Sequence, residues 1–152
     1  MNPYDKRKES MKMSKVAVIY WSGTGNTEAM AKHVFEGAID AGASVDLLAA
    51  DNVSEGMIDA YDGVALGCPS MGAEELEDAV FEPMFNAIAS KLIGKKIALF
   101  GSYGWGDGEW MRTWEQDCAK AGIALAASSV ICNEAPDEEA GDACRVLGRS
   151  IS

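Results

Sequence analysis

The chain has 152 residues, of which 48% are hydrophobic and 24% are charged, a composition typical of one compact globular domain. Twenty-four acidic residues outnumber thirteen basic ones, and the net charge of −11 opposes binding to nucleic acids and to anionic membranes. The sequence contains neither a signal-peptide pattern nor eighteen consecutive apolar residues. We therefore expect a cytoplasmic monomer that binds neither nucleic acid nor membrane.

Soft metal ligands are scarce in this sequence. Its four cysteines form no C-x-x-C pair, and His33 is the only histidine, so neither a zinc site nor an iron–sulfur cluster is predicted. We expect the thiols to be small apolar side chains of the core and His33 to be a solvated surface imidazole. The cysteines are Cys68, Cys118, Cys132 and Cys144.

Short β-branched runs alternate with longer segments of helical periodicity, which is typical of an α/β domain. Residues 1–14 carry a cluster of basic side chains and are predicted to be a disordered extension, whereas residues 15–152 form one domain. Strands are predicted at 15–21, 44–48, 63–67, 96–100 and, with an interruption, 123–131. Helices are predicted at 27–42, 82–92, 110–121 and 137–150. Right-handed crossovers favour a five-stranded parallel sheet of order 2-1-3-4-5 with helices on both faces.

The loop after the first strand, Ser22-Gly23-Thr24-Gly25-Asn26-Thr27, leads directly into a helix. Backbone N–H groups at such a helix start favour a phosphate group, and the hydroxyl and amide side chains supply neutral donors. Neither the Lys of a Walker A motif nor the third glycine of a dinucleotide fingerprint is present. The alternative is an ordinary turn with Ser, Thr and Asn capping the helix.

Ligands of such sheets lie beyond the carboxyl ends of the strands, so the loops after the third and fourth strands should face the same crevice. The first of these contains Met71, whose polarizable side chain can lie against a flat ring. The second contains Trp105 between two glycines, where an exposed indole either covers an aromatic ligand or packs on its own protein.

Three motifs, YWSGTGNTEAMA, GCPSMG and FGSYGWGDGEWM, closely resemble those of the short-chain flavodoxins of anaerobic bacteria. The resemblance runs from about Lys15 to the C-terminus, and the motifs occur in the same order and spacing. It implies a flavodoxin-like three-layer fold, one non-covalently bound FMN and the transfer of single electrons. No catalytic residue and no metal are expected.

The resemblance also implies roles for individual residues. Met71 and Trp105 correspond to the inner and outer walls of the flavin, and Gly72 to the glycine whose carbonyl turns toward flavin N5–H in the neutral semiquinone. Glu74 corresponds to a position near flavin N3. The complete set of predicted FMN-binding residues is Ser22, Gly23, Thr24, Gly25, Asn26, Thr27, Pro69, Ser70, Met71, Gly72, Glu74, Ser102, Tyr103, Gly104, Trp105, Gly106 and Asp107.

Acidic residues are concentrated in the two loops that should face the flavin ring, and neither 68–90 nor 97–111 contains Lys or Arg. The expected consequence is a strongly negative field that disfavours the anionic hydroquinone and gives a low potential for the second electron. We expect a carrier that cycles mainly between semiquinone and hydroquinone in place of a ferredoxin. Its transient partners would be redox enzymes with basic docking faces, such as flavodoxin or ferredoxin reductases and 2-oxoacid oxidoreductases. The acids are Glu74, Glu75, Glu77, Asp78, Asp107 and Glu109.

Two other functions are compatible with this fold class. A flavin-dependent NAD(P)H or quinone reductase would need a nicotinamide site, for which the chain has no second nucleotide fingerprint. A phosphorylatable receiver would need an acidic residue at the end of its third strand, where this chain has Gly67-Cys68-Pro69-Ser70.

Overall fold

The computed structural model describes residues 13–152, within which β-strands and α-helices alternate. The strands are β1 (Lys15–Tyr20), β2 (Ser44–Ala49), β3 (Gly63–Gly67), β4 (Lys96–Tyr103) and β5 (Val130–Asn133). The helices are α1 (Asn26–Asp40), α2 (Phe81–Ile88), α3 (Glu109–Lys120) and α4 (Glu138–Ser150). Three short 3-10 helices span Ala50–Asn52, Glu55–Ala60 and Ala89–Lys91.

The five strands form one parallel sheet of order β2-β1-β3-β4-β5, as predicted. The apolar run of β1 lies between β2 and β3, and its residues 16–19 are fully buried because both faces of the sheet are covered. Ile19 pairs with Leu66 of β3, which in turn pairs with Leu99 of β4. The register places the ends of β1, β3 and β4 side by side at the carboxyl edge of the sheet.

Two apolar clusters cover the two faces of the sheet. Trp110 and Trp114 of α3 pack with Phe81 of α2 on one face, and α1 packs with α4 on the other. The second pair of helices approaches closely because Gly37 leaves no room for a side chain: a Cβ there would lie 1.9 Å from the carbonyl oxygen of Arg145. The predicted three-layer fold is confirmed.

Two predicted strand boundaries are wrong by three residues or more. The fifth strand was expected over 123–131 but begins at Val130, because the preceding segment makes only an isolated bridge between Leu125 and Ile97. Strand β4 was expected to end at residue 100 but continues to Tyr103, because its last residues pair with β5. Ser102 and Tyr103 are therefore strand residues rather than loop residues. Helix α2 also ends earlier than predicted, and a 3-10 turn follows it.

All four cysteines are buried free thiols, as predicted. Burial is the main reason that the pKa of Cys68 is raised to about 12, so this thiol stays protonated and unreactive at neutral pH. The prediction of a solvated His33 is wrong: its imidazole is half-buried between α1 and α4, where Nδ1 lies 3.1 Å from Nη2 of Arg145.

The disordered extension predicted for residues 1–14 falls, as far as residue 12, outside the residues that the structure describes. Within residues 13–152, no helix is both long and apolar enough to cross a bilayer. Over the same range, no group of three or more His, Cys, Asp and Glu side chains is arranged to hold a metal ion.

Candidate functional site

The loops after β1, β3 and β4 converge on one cavity of about 200 Å³ at the carboxyl edge of the sheet. Eleven of the seventeen predicted FMN-binding residues line it: Ser22, Gly23, Thr24, Asn26, Thr27, Pro69, Ser70, Met71, Ser102, Tyr103 and Gly104. The other six, Gly25, Gly72, Glu74, Trp105, Gly106 and Asp107, do not line this cavity. The sheet order alone thus brings together residues up to 82 positions apart in the chain.

The first loop is ordered by its own hydrogen bonds. The Oγ atom of Ser22 accepts hydrogen bonds from the backbone N–H of Gly25 at 3.1 Å and of Glu28 at 3.2 Å. Gly25 adopts a left-handed conformation with φ of +97°, which glycine adopts at little cost. The Ser22 hydroxyl therefore satisfies two backbone N–H groups at the start of α1, whose N-cap residue is Gly25, while Thr24 remains exposed beside the cavity.

The base of the cavity contains a buried pair of hydroxyl groups. Thr27 in the first turn of α1 is only 1% exposed, and its Oγ1 lies 2.7 Å from Oγ of Ser102 in β4. One of these buried hydroxyls donates a hydrogen bond to the other, and this bond ties the start of α1 to the end of β4. The phosphate loop thus rests on a rigid base.

The loop after β3 is a tight turn that projects from the sheet edge. Met71 and Glu75 exchange two backbone hydrogen bonds, of 2.8 and 2.9 Å, across the residues between them. Inside the turn, Gly72 has a φ of +52° and Glu74 a φ of +58°. Left-handed backbone is costly for a residue with a side chain, so Glu74 is held in place by a contact elsewhere.

That contact is to the loop after β4. Oε1 of Glu74 accepts a hydrogen bond of 3.1 Å from the backbone N–H of Asp107. A Cβ on Gly106 would lie 1.6 Å from the same oxygen, so only glycine permits the approach. Trp105 is 62% exposed and Met71 38% exposed, and both side chains are available to an aromatic ligand.

The acidic residues of these loops differ in their surroundings. Glu77 is only 7% exposed; burial raises its pKa, but hydrogen bonds from the backbone N–H of Phe81, Val80 and Ala79 outweigh burial and leave it lowered. Glu77 is thus an anionic cap of α2. Arg112, one residue beyond the cation-free segment 97–111, forms an ion pair of 2.9 Å with Asp107, so one of these acids has a cation beside it.

Two cavity residues were not predicted. Trp21 comes directly before the first loop and belongs to the quoted motif YWSGTGNTEAMA, so it could have been found by extending the predicted loop by one residue. Glu134 follows β5, has a φ of +60° and reaches the cavity beside Gly104. It was missed because the fifth strand was placed too early in the sequence.

The residues of this edge fit FMN. Hydroxyl and amide groups surround the start of α1, where a phosphate monoester is favoured, and Trp21, Met71 and Tyr103 offer aromatic or apolar surface to a ring system. Among residues 13–152, neither Lys nor Arg lines the cavity, so the phosphate would be held by neutral donors and the helix terminus.

Comparison with known proteins agrees with this geometry. The family model described as Flavodoxin matches residues 18–148. The chain belongs to the flavodoxin family. It is 45% identical over 137 residues to the flavodoxin of Megasphaera elsdenii, covering 90% of this chain and 98% of that protein. The flavodoxin of Clostridium beijerinckii is 44% identical over 138 residues, covering 89% and 97% of the two chains.

Solved structures show the same relationship. The solution structure of two-electron reduced Megasphaera elsdenii flavodoxin superimposes with a TM-score of 0.82 at 46% identity, over 90% of this chain and 97% of that one. Flavodoxins are electron-transfer proteins that bind FMN, so this chain is a flavin-binding electron carrier rather than an enzyme. The reductase and receiver alternatives are set aside on that ground.

Proposed function

We propose that this flavodoxin is a low-potential one-electron carrier that cycles mainly between the semiquinone and hydroquinone forms of its FMN and replaces a ferredoxin. The observation that carries the proposal is the convergence of a hydroxyl-rich helix start with two glycine-containing, acidic loops at one sheet edge. The flavin supplies the electron chemistry, and the chain supplies binding, orientation and electrostatics.

Gly72 supports the proposed separation of the two electron steps. Its backbone is left-handed, and a Cβ built there would have no atom within 4 Å, so the surroundings leave space for the peptide to turn. Only glycine can adopt both orientations of that peptide at little cost. We propose that its carbonyl accepts a hydrogen bond from flavin N5–H after the first electron, which favours the one-electron reduced form.

Charge supports the low potential of the second step. Glu74, Glu75 and Asp107 lie in the two loops beside Met71 and Trp105. Arg112, in the first turn of α3, forms an ion pair with Asp107 and offsets part of this charge. A net negative field disfavours adding a second electron to a flavin that would become anionic. The apolar side chains at the same edge reduce solvation of that charge.

The same charge indicates the class of partner. A chain with a net charge of −11 is attracted to basic surfaces, and this attraction weakens as salt screens it. We propose a cytoplasmic monomer that docks transiently on redox enzymes with basic faces, such as flavodoxin or ferredoxin reductases and 2-oxoacid oxidoreductases.

A substitution assay tests this function. The FMN-loaded chain is added to a 2-oxoacid oxidoreductase in place of ferredoxin, and electron transfer is followed by the visible spectrum at low and high salt. We expect reduction that slows as salt rises, and no direct bleaching by NADH alone. Rapid bleaching by NADH, or failure to accept electrons from any ferredoxin-dependent enzyme, would contradict the proposal.

A further inference from the structure

We propose that Arg112 is a positioning residue of the flavin site, because it fixes Asp107 and thereby joins the loop after β3 to helix α3. This inference rests on the proposed function, since its consequence is the placement of the two loops that face the flavin. The three residues Glu74, Asp107 and Arg112 are called the loop latch below.

Arg112 binds Asp107 at two points. Its Nη2 donates to the carboxylate Oδ1 of Asp107 at 2.9 Å, and its Nη1 donates to the backbone carbonyl oxygen of the same residue at 3.1 Å. The planar guanidinium thus grips a side chain and a backbone group together, which a lysine ammonium cannot reproduce. Because Arg112 lies in the first turn of α3, these two hydrogen bonds hold Asp107 at a fixed position relative to that helix.

The third bond of Asp107 crosses to the other loop. Its backbone N–H donates to Oε1 of Glu74, and Glu74 sustains a left-handed backbone in doing so. Gly106 makes this approach possible, because any side chain there would collide with the Glu74 carboxylate. Asp107 therefore connects both loops to α3, that is, the loop that carries Met71 and the loop that carries Trp105.

The latch is exposed, which determines what its loss should change. The side chains of Arg112 and Asp107 are 56% and 79% exposed, and ion pairs of this kind add little to global stability. The pKa of Arg112 is raised, mainly by its hydrogen bond to Asp107 and less by Glu109 and Glu74. We therefore expect a local effect on the loops and on the charge near the flavin, without loss of the fold.

Three variants distinguish the effect of the two guanidinium hydrogen bonds from the effect of the guanidinium charge. Arg112→Gln removes the charge and the pair of hydrogen bonds to Asp107, whereas Arg112→Lys keeps the charge without that pair of bonds. Arg149→Gln removes the same charge from the last turn of α4, which ends beside the first residue of β3 at the opposite edge of the sheet. The readouts are amide hydrogen exchange of Asp107 in the FMN-free protein, FMN affinity, and the semiquinone/hydroquinone potential.

In Arg112→Gln we expect exchange of the Asp107 amide to be faster by about threefold or more, FMN to bind more weakly, and the potential to become more negative. The urea midpoint should stay at the wild-type value. In Arg112→Lys the potential should return close to wild type while amide exchange stays fast. Arg149→Gln should change none of the three readouts.

Wild-type amide exchange and FMN affinity in Arg112→Gln would overturn the proposal, as would equal potential shifts in Arg112→Gln and Arg149→Gln. If the wild-type chain failed to bind FMN, the proposed function would fall, whereas the exchange rate of the Asp107 amide in the FMN-free protein would still decide whether the latch exists.

Discussion

The two ends of the flavin site are built differently. The phosphate end rests on the buried Thr27–Ser102 pair and on a loop whose Ser22 hydroxyl is bound by two backbone N–H groups. At the ring end, Trp105 and Met71 are exposed, and the loops after β3 and β4 are joined by solvent-exposed bonds around Asp107.

This difference indicates that the phosphate end is rigid, whereas the ring end can change conformation. A buried hydrogen bond between two hydroxyl groups cannot be broken without a penalty in folding free energy, so the phosphate end is fixed by the fold itself. Exposed turns with left-handed residues can change conformation at low cost, as a site must when its ligand changes redox state. Substitutions of the buried pair at the phosphate end should therefore lower stability and FMN affinity together, whereas substitutions of exposed side chains at the ring end should lower affinity alone.

The largest effect is expected from Thr27→Val. It removes one hydroxyl and leaves Ser102 without its partner in the core, which should cost about 1–3 kcal/mol in the free energy of unfolding and weaken FMN binding as well. Urea unfolding of the FMN-free protein and flavin-fluorescence titration measure the two effects.

Thr24→Val is the matched control at the same end, because Thr24 is exposed in the same loop. It should weaken FMN binding without changing the urea midpoint. A Thr27→Val protein as stable as wild type would show that the buried pair does not fix the phosphate end.

The next largest effect is expected at the start of α2, which follows the loop after β3. Glu77→Gln replaces the anionic cap of α2 and should lower the free energy of unfolding by about 1–2 kcal/mol at pH 7. Because the folded pKa of Glu77 lies below its ordinary value of 4.5, its stabilising contribution is present above pH 4.5 and is lost as pH falls through the folded pKa. Urea unfolding at pH 7 and pH 4 should thus show a smaller difference between variant and wild type at pH 4. An equal difference at both pH values would exclude the charge as its origin.

Trp105→Ala tests whether the exposed indole is a wall of the site. We expect FMN affinity to fall about tenfold, because a stacked aromatic ring contributes on the order of 1 kcal/mol, while the urea midpoint stays unchanged. Trp105→Phe should retain most of the affinity. Unaltered FMN affinity in the alanine variant would show that the indole does not cover the flavin.

The smallest effect is electrostatic. Neutralising Glu74, Glu75 and Asp107 together should raise the semiquinone/hydroquinone potential by about 30–60 mV, since three screened charges contribute on the order of 1 kcal/mol. The matched control neutralises three acids outside the two loops, Asp40, Glu55 and Asp59, of which Asp59 pairs with Lys91 as Asp107 pairs with Arg112. Spectroelectrochemical titration of both triple variants should separate them; equal shifts would mean that only net charge matters.

The sequence predicted the fold well because its strands are short apolar runs separated by amphipathic helices, a pattern that depends on local residues. The boundaries of β4 and β5 could not be predicted, because Ser102 and Tyr103 are strand residues only through pairing with a distant partner. Glu134 was not predicted as a site residue for the same reason, because the fifth strand was placed too early in the sequence. Similarly, Arg112 stands one residue beyond the segment that was free of cations in the sequence, and only the turn of α3 brings it back to Asp107.

Stepwise reduction of the FMN-loaded protein with dithionite, followed by its visible spectrum, tests the central claim most directly. We predict that the yellow protein passes through a blue neutral semiquinone before it bleaches, because the Gly72 carbonyl favours the one-electron state and the acidic loops disfavour the second electron. Direct bleaching from yellow without a blue stage, or a chain that cannot be loaded with FMN, would contradict the account.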